Sequence, residues 1–231
     1  MQNIPVRKAN VLLIGAAMVL AGCFGGNAGG GPAGPADITD DIDAVKAMMP
    51  TTNMPTELKA SYEGGMAVDV LNADAPDPDN PDYKISADLE IGIDWDETMG
   101  VNADITGQAT NFQGESFVPG DEGNFALDGS LTVVEGSGGI AKEDIPGMDL
   151  GGGVSSPDIS TGALSFQMTG TLTEPINGAS GTASLLFGGI FYGDDAAGAA
   201  GTVGGPLYQD EDMLIPDGVV AGEFFLLRKP D

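Results

Sequence analysis

Tyr192, Gly193, Asp194 and Asp195 form the stretch of this chain whose residue types and spacing most suggest chemistry. Adjacent aspartates supply the carboxylate oxygens that Mg²⁺ and Ca²⁺ prefer as ligands. The same residues directly follow an apolar run that ends at Phe191, and Gly and Asp tolerate the dihedral angles of tight turns. The stretch is therefore either part of a metal site or a turn between two strands.

Composition favours the turn. The chain has 231 residues, with 35 Asp and Glu against 8 Lys and Arg, for a formal net charge of −27. Polymerases of RNA viruses, in which a Tyr-Gly-Asp-Asp tetrapeptide holds catalytic magnesium, are basic where they bind RNA. A surface as acidic as this one repels nucleic acid and anionic lipid, so we expect neither as a direct partner. We predict that residues 192–195 form a turn.

Other routes to catalysis are also scarce. The chain has no histidine, which removes the commonest general base, the commonest zinc ligand and any Ser-His-Asp triad. Cys23 is the one cysteine, so the chain forms no internal disulfide. Paired carboxylates could hydrolyse glycosides, but with 35 acids their spacing in sequence identifies no pair. We expect that the protein is not an enzyme and has no catalytic residues.

Two kinds of ligand site need separate consideration. Asp77, Asp79 and Asp82 lie in the segment DPDNPD, which has two prolines, one of them at a ligand place of an EF-hand loop, and no Gly at the sixth position. We interpret it as a stiff, solvated loop, with weak surface calcium binding as the alternative. Haem could take an axial Tyr or Met, but no spacing selects one, and Met66 and Met168 lie on strand patterns typical of a core. We expect no metal site and no cofactor other than covalent lipid.

The N-terminus predicts export and lipid attachment. Residues 1–22 combine a basic start with a short apolar run, which is too short to span a membrane and is typical of a signal peptide. The run ends in LAGC at Cys23, which resembles the lipobox of bacterial lipoproteins. That resemblance implies a diacylglyceryl group on Cys23, cleavage before it and acylation of the new N-terminus, which together anchor a protein stably. In enteric bacteria, an Asp directly after the lipidated cysteine retains a lipoprotein in the inner membrane. This chain has Phe24 at that position, which favours the outer membrane.

A tether and a helix are predicted after the cysteine. Residues 23–36 are mostly Gly, Ala and Pro, which predicts a flexible, lipidated tether. Residues 37–60 predict a short amphipathic helix and a linker, because four apolar residues recur at helical spacing before Pro50. These four are Ile38, Ile42, Val45 and Met49. The helix is expected to pack on, or to plug, the domain that follows.

Residues 61–231 predict an all-β domain. The clearest alternation of apolar and polar residues runs from Tyr83 to Trp95, and weaker alternation recurs in six other segments. These segments are 62–71, 99–110, 124–134, 162–173, 181–192 and 219–228, and the small residues of 197–206 could form one more strand. Eight antiparallel strands favour a soluble eight-stranded up-and-down β-barrel, with a sandwich as the alternative. The outward rows hold Asp, Glu, Ser, Thr and Gly, which is unlike a transmembrane barrel. Two long loops, 72–82 and 135–160, interrupt the strands.

The C-terminal strands carry a resemblance to a known family. A Gly-Ile-Phe-Tyr-Gly segment at 189–193 precedes Ala196 and a Gly-Thr-Val strand at 201–203, and a closing Val-Ala-Gly-Glu-Phe strand at 220–224 runs on to Arg228. This pattern is similar to the last three strands of the barrel domain of transferrin-binding protein B and its relatives, which include factor H binding protein and haemoglobin-binding surface lipoproteins. The chain departs from the family's usual residues at three positions in this region. These are Asp194, Gly198 and Val203.

That resemblance implies a non-enzymatic binding protein. It would be a lipid-anchored outer-membrane protein, with the cell surface as one orientation, that captures a protein or an iron or haem source and passes it to an outer-membrane partner. The expected contact surfaces are the loops 72–82, 111–124, 135–160 and 205–218, but no ligand-binding residue is assigned. One alternative is a periplasm-facing carrier that holds a small apolar ligand inside the barrel, as lipocalins do. Another is a structural envelope lipoprotein without a ligand.

Overall fold

The computed structural model describes residues 35–73, 76–151, 154–175, 180–208 and 217–230. Cys23, the predicted signal peptide and the predicted tether as far as residue 34 lie outside these residues. Within the described ranges the chain forms one α-helix and twelve strands, and the strands pair antiparallel throughout. No helix among them is long and apolar enough to cross a membrane.

The predicted elements lie close to their expected positions. Helix α1 spans Pro35–Ala47, and the first strand begins at Glu57 rather than at residue 61. The strands are β1 (Glu57–Asn72), β2 (Tyr83–Asp96), β3 (Asp104–Ser116), β4 (Gly123–Gly129), β5 (Leu131–Val133), β6 (Gly139–Ile145), β7 (Asp149–Gly151), β8 (Val154–Ser155), β9 (Ile159–Thr173), β10 (Ser180–Tyr192), β11 (Gly198–Tyr208) and β12 (Gly218–Arg228).

Ten of the twelve described strands form a closed ring, and β7 and β8 pair with each other in a separate two-stranded sheet. β4, β5 and β6 follow one another along the same side of β9, so together they occupy one position in the ring. β12 pairs with β1 from Tyr62↔Arg228 to Asn72↔Gly218 and closes the sheet on itself. Counted in this way, the ring has eight antiparallel positions in up-and-down order, which confirms the predicted barrel.

One predicted loop is partly strand. Residues 135–160 were expected to form a Gly-rich loop, but β6 within this range pairs with β9 from Gly139↔Ser165 to Ile145↔Ile159. Its alternation is hard to detect in sequence, because Ile140 is its one buried large side chain and charged residues follow it. Pairing with β9 therefore makes these residues a strand, although their own sequence gives only a weak strand signal.

The barrel interior is filled by apolar side chains. Phe166 and Phe187 stack with ring centroids 4.7 Å apart, and Phe224 meets Phe187 edge-on at 5.3 Å. Met66 and Met168 are buried in the same core, as predicted. The residues that alternate with these on the strands face outward and are mainly polar, so the burial pattern is that of a barrel with an apolar inside and a hydrated outside.

Helix α1 packs on the outer wall of the barrel and does not plug it. Ile38, Ile42 and Val45 are buried against Ala200 and Phe225, which face outward from β11 and β12. An ion pair of 2.8 Å between Lys46 and Glu223 lies beside these contacts. Met49, the fourth residue predicted for the apolar face, is exposed, because the helix ends at Ala47.

The two ends of the barrel differ. At one end, which we call the closed end, the linker 48–56 crosses from β10 to β9 before it enters β1, and Met54 is buried in the core. The Thr51 amide donates to the Phe191 carbonyl oxygen, and the Met54 amide donates to that of Ser160, both at 2.9 Å. The opposite end, which we call the open mouth, lies beside connections 73–82, 117–122, 174–179 and 209–217, which are described in part.

The Tyr-Gly-Asp-Asp stretch is a turn, as predicted. β10 ends at Tyr192, and a single 3₁₀ turn, Asp194–Ala196, leads into β11. Asp195 and Ala196 have φ angles of 53° and 59°, in the left-handed region that costs a non-glycine residue about 1 kcal/mol. Such strain persists only where surrounding contacts impose it.

The linker and β1 together impose the shape of this turn. The Thr51 hydroxyl donates to the Gly193 carbonyl oxygen at 2.7 Å, and Asn53 exchanges two hydrogen bonds with Asp195. From inside the barrel, the Tyr62 hydroxyl donates to the Ala196 carbonyl oxygen at 2.8 Å. The turn therefore joins the linker, β1 and β10 into one unit at the closed end.

Inward-facing glycines let neighbouring strands approach closely at the bends of the barrel. A Cβ atom at Gly201 would lie 2.1 Å from the Gly188 carbonyl oxygen, and one at Gly222 would lie 2.1 Å from that of Ala67. Both distances are far below van der Waals contact, so any side chain at these positions would separate the strands. Gly188, which faces outward on β10, has no such neighbour.

We predict that Gly201→Ala destabilises the barrel by at least about 2 kcal/mol, because the added methyl group collides with backbone that cannot move aside. Gly188→Ala is the matched control and should change stability by less than about 0.5 kcal/mol. Urea unfolding followed by circular dichroism measures both. Equal midpoints for the two variants would refute the role assigned to Gly201.

Tyr62 links stability to pH. Burial raises the pKa of its hydroxyl to about 12, although the nearby Arg228 acts in the opposite direction. The unfolded chain, with an ordinary tyrosine pKa near 10, loses the proton first, so stability falls as pH rises from about 10 to about 12. The predicted loss is about 2–3 kcal/mol over that interval.

Tyr62→Phe tests this linkage. At neutral pH the variant should be less stable by about 1–3 kcal/mol, because the buried Ala196 carbonyl oxygen loses its donor. Above pH 10 the difference between the two proteins should shrink, since only the parent has the buried Tyr62 phenol to ionise. Stability curves that stay parallel up to pH 12 would contradict the assignment.

Candidate functional site

The open mouth is the candidate functional site, because it exposes part of the apolar interior. Four inward-facing residues near this end are only half-buried, whereas their counterparts deeper in the barrel are fully buried. They are Tyr83, Ile85, Leu127 and Leu207. β4 has no fully buried residue, so the wall is least covered on this side of the mouth.

Phe125 forms the adjoining part of the floor. Its ring occupies the space above Gly114, where a Cβ atom would lie 2.2 Å from the ring. The same ring meets Tyr83 edge-on, with centroids 5.8 Å apart and planes at 88°. Gly114 on β3 stands opposite Phe125 on β4, and the missing side chain leaves room for the rings of Phe125 and Tyr83 to meet.

Acidic side chains from three connections surround Tyr83. Burial raises the pKa of its hydroxyl, and the charges of Asp82, Asp121 and Glu174 raise it further. These acids follow β1, β3 and β9 respectively, so three hairpins converge on one aromatic residue. The mouth therefore combines an apolar floor with an acidic rim.

One cation lies beside this rim. Lys84 Nζ is 5.7 Å from the centroid of Phe117, which is partly exposed. Lys84 also stands opposite Asp69 in the β1–β2 ladder. Partial burial raises the pKa of the Asp69 carboxyl, and the Lys84 charge opposes that shift. The sequence did not indicate a role for Phe117, because it lies directly after a strand and outside the alternating pattern that marks inward-facing residues.

The other residues considered in the sequence lie in ordinary structural roles. Asp77 accepts hydrogen bonds from the Asn80 side chain at 2.9 Å and the Asp79 amide at 3.1 Å, and these lower its pKa. The carboxylate thus organises its own loop. Tyr62 is a buried donor, and no group of three or more His, Cys, Asp or Glu in the described part of the chain is placed to hold a metal ion.

The described ends of three of the four predicted contact loops, 72–82, 111–124 and 205–218, lie at the open mouth. In the fourth, 135–160, β6 runs along the barrel wall and reaches the closed end at Ile145. The sequence identified the loops but not the end of the barrel at which each one lies. That assignment requires the up-and-down order of the strands, in which alternate connections lie at the same end.

Two clefts lie outside the barrel wall. One, of about 600 Å³, crosses the outer faces of β1, β2 and β3 over the small residues Ser61, Gly92 and Thr106. Its two lysines already pair with carboxylates: Lys59 with Asp94 at 2.6 Å, and Lys229 with two glutamates. The second, of about 320 Å³, lies beside the β2–β3 connection.

Comparison with known proteins gives no match. No protein family, no curated protein and no solved structure corresponds to this chain. The resemblance to transferrin-binding protein B therefore stays a prediction from residues 189–228.

We predict that Asp121→Asn lowers the pKa of Tyr83, because one of the charges that disfavour its phenolate is removed. The pH midpoint of the Tyr83 ring signals in an NMR titration measures this shift. Asp104→Asn, at the closed end, is the control and should leave the midpoint unchanged. An unchanged midpoint in both variants would mean that the β3–β4 connection does not face Tyr83.

Proposed function

We propose that this chain is a lipid-anchored envelope protein that binds a protein partner at the open mouth and catalyses no reaction. The observation that carries the proposal is the mouth itself, where a half-buried apolar floor is ringed by carboxylates from three hairpins. Surfaces of this kind bind a partner that presents an apolar side chain between cations.

The filled interior supports binding at the surface. Stacked phenylalanines occupy the centre of the barrel, and the linker covers its closed end. A ligand of any size must therefore contact the connections or the wall. The charge of the chain, −27, favours a basic partner over nucleic acid. The resemblance to transferrin-binding protein B suggests an iron-carrying or haem-carrying protein as the first candidate.

The alternatives predict different behaviour. A lipocalin-like carrier needs an internal cavity, which the packed core argues against. A structural envelope lipoprotein needs no ligand, and its loss would weaken the envelope without affecting nutrient uptake. The experiments that follow distinguish the carrier and the structural lipoprotein from a protein that binds a partner at the mouth.

Lipid attachment and orientation come first. Cys23→Ser should abolish incorporation of labelled palmitate and release the protein from membranes. Protease treatment of intact cells should then remove the domain from unbroken cells if the mouth faces outward. Complete protection until the outer membrane is opened would place the domain in the periplasm and limit the partner to periplasmic proteins.

Partner binding tests the mouth directly. The protein is immobilised and titrated with transferrin, haemoglobin, haem and basic control proteins at several salt concentrations. For a partner that binds, Asp82→Asn with Asp121→Asn should weaken affinity roughly tenfold, at about 0.7 kcal/mol for each charge, and reduce the salt dependence. Glu57→Gln with Asp104→Asn, at the closed end, removes the same charge and should have little effect.

Two results would contradict the proposal. Equal losses in both double variants would show that overall charge, and not the mouth, governs binding. Failure of every candidate to bind, with the domain correctly anchored, would leave the structural envelope role as the better explanation.

A further inference from the structure

The closed end carries six of the ten exposed large apolar side chains found in the described part of the chain. Their exposed fractions range from 38% for Met99 to 71% for Met49. They come from the linker after α1, the β2–β3 connection and the segment around the end of β6. We call this set the apolar rim: Met48, Met49, Met99, Val101, Ile145 and Met148.

The backbone imposes part of this exposure. Met49 has a φ angle of 66°, which costs a non-glycine residue about 1 kcal/mol. Its carbonyl oxygen accepts from the Gly193 amide at 2.9 Å, so the strained conformation is held by the turn after β10. Val101, in the segment 99–110 whose alternation predicted a strand, lies before β3 begins and is exposed.

The cations are also distributed unequally between the two ends. Five of the six lysines and arginines that follow residue 22 lie in the half of the molecule that includes the closed end. They are Lys46, Lys59, Lys142, Arg228 and Lys229. Lys142 pairs with Glu97 at 3.2 Å and Asp144 at 3.7 Å, between the rim residues of β6 and those of the β2–β3 connection. Two acids near the apolar rim are thus paired with a cation, whereas Asp82, Asp121 and Glu174 at the open mouth form no ion pair with any described residue.

We propose that the apolar rim rests on the surface of the lipid bilayer that carries the anchor, so that the open mouth points away from the membrane. This inference rests on the lipid anchor of the proposed function and not on its protein partner. Exposed apolar side chains on several connections suit contact with the headgroup and acyl boundary, because a fluid surface requires no fixed complementary shape. The acidic chain favours zwitterionic over anionic headgroups.

The length of the chain before α1 permits this arrangement. Twelve residues, from Cys23 to residue 34, precede the helix and extend at most about 40 Å. α1 runs along the outer wall, with Ile38 near Gly65 in the middle of β1 and Val45 near Gly198 at the closed end. Its 13 residues are about 20 Å long, so the anchor can reach back past the helix to the closed end.

Methionine oxidation provides a test with native residues. The mature chain is coupled through Cys23, its one cysteine, to a maleimide lipid in phosphatidylcholine vesicles. Dilute hydrogen peroxide is added, and mass spectrometry follows each methionine. Coupling to vesicles should slow oxidation of Met49, Met99 and Met148 several-fold relative to the same chain blocked at Cys23 in solution. Met66 and Met168, buried in the core, should oxidise slowly in both samples.

Variants separate rim contact from general proximity to the membrane. Met49→Glu with Met148→Glu should abolish the protection of Met99, since the rim can no longer insert. Leu186→Glu changes an equally exposed residue in the wall of β10 and should leave the protection intact. Circular dichroism confirms that each variant is folded.

The remaining outcomes overturn the inference. Unchanged oxidation rates on chains shown to be coupled would mean that the rim stays in water. Protection in cells but not on vesicles would mean that a protein covers the rim. Vesicle-dependent protection of residues 76–82 and 117–122 in hydrogen exchange would mean that the mouth faces the bilayer. The binding titrations are independent of all three results.

Discussion

Pairing between β1 and β12 is the contact on which the rest of the structure depends. It converts a row of hairpins into a ring, and it satisfies the backbone groups that would otherwise form two exposed sheet edges. Closure demands that strands bend sharply while staying hydrogen-bonded. Inward glycines such as Gly201 and Gly222 meet that demand by leaving room for the backbone of the next strand. The aromatic core then fills the enclosed space.

Closing one end makes the two ends chemically different. The linker, the strained turn at Asp195 and Ala196, and the buried hydroxyl of Tyr62 occupy the closed end. At the other end nothing described crosses the barrel, so Tyr83, Phe125 and their acidic neighbours define the surface. The chemical difference between the two ends thus follows from the end at which the linker enters β1.

The sequence predicted the strands well and the sites poorly, for physical reasons. Alternation such as Leu89, Ile91 and Ile93 records burial on one face, and burial is what the barrel requires of every strand. β6 escaped notice because its pairing depends on β9 rather than on its own pattern. The mouth could not be predicted, since the approach of Asp82, Asp121 and Glu174 to Tyr83 depends on closure across three hairpins. The exposure of Val101 and Met49 depends in turn on where β3 begins and where α1 ends.

The position of α1 on the outer wall has a mechanical consequence. Load applied at the N-terminus enters the molecule at Pro35, and α1 lies between that point and β1. Ile38, Ile42 and Val45 sit in a small cluster separate from the barrel core, so detaching the helix leaves that core covered. The linker 48–56, hydrogen-bonded to β9 and β10, comes next along the chain, and the ladder between β1 and β12 bears tension after both. We therefore expect α1 to detach under force while the ring of strands stays intact.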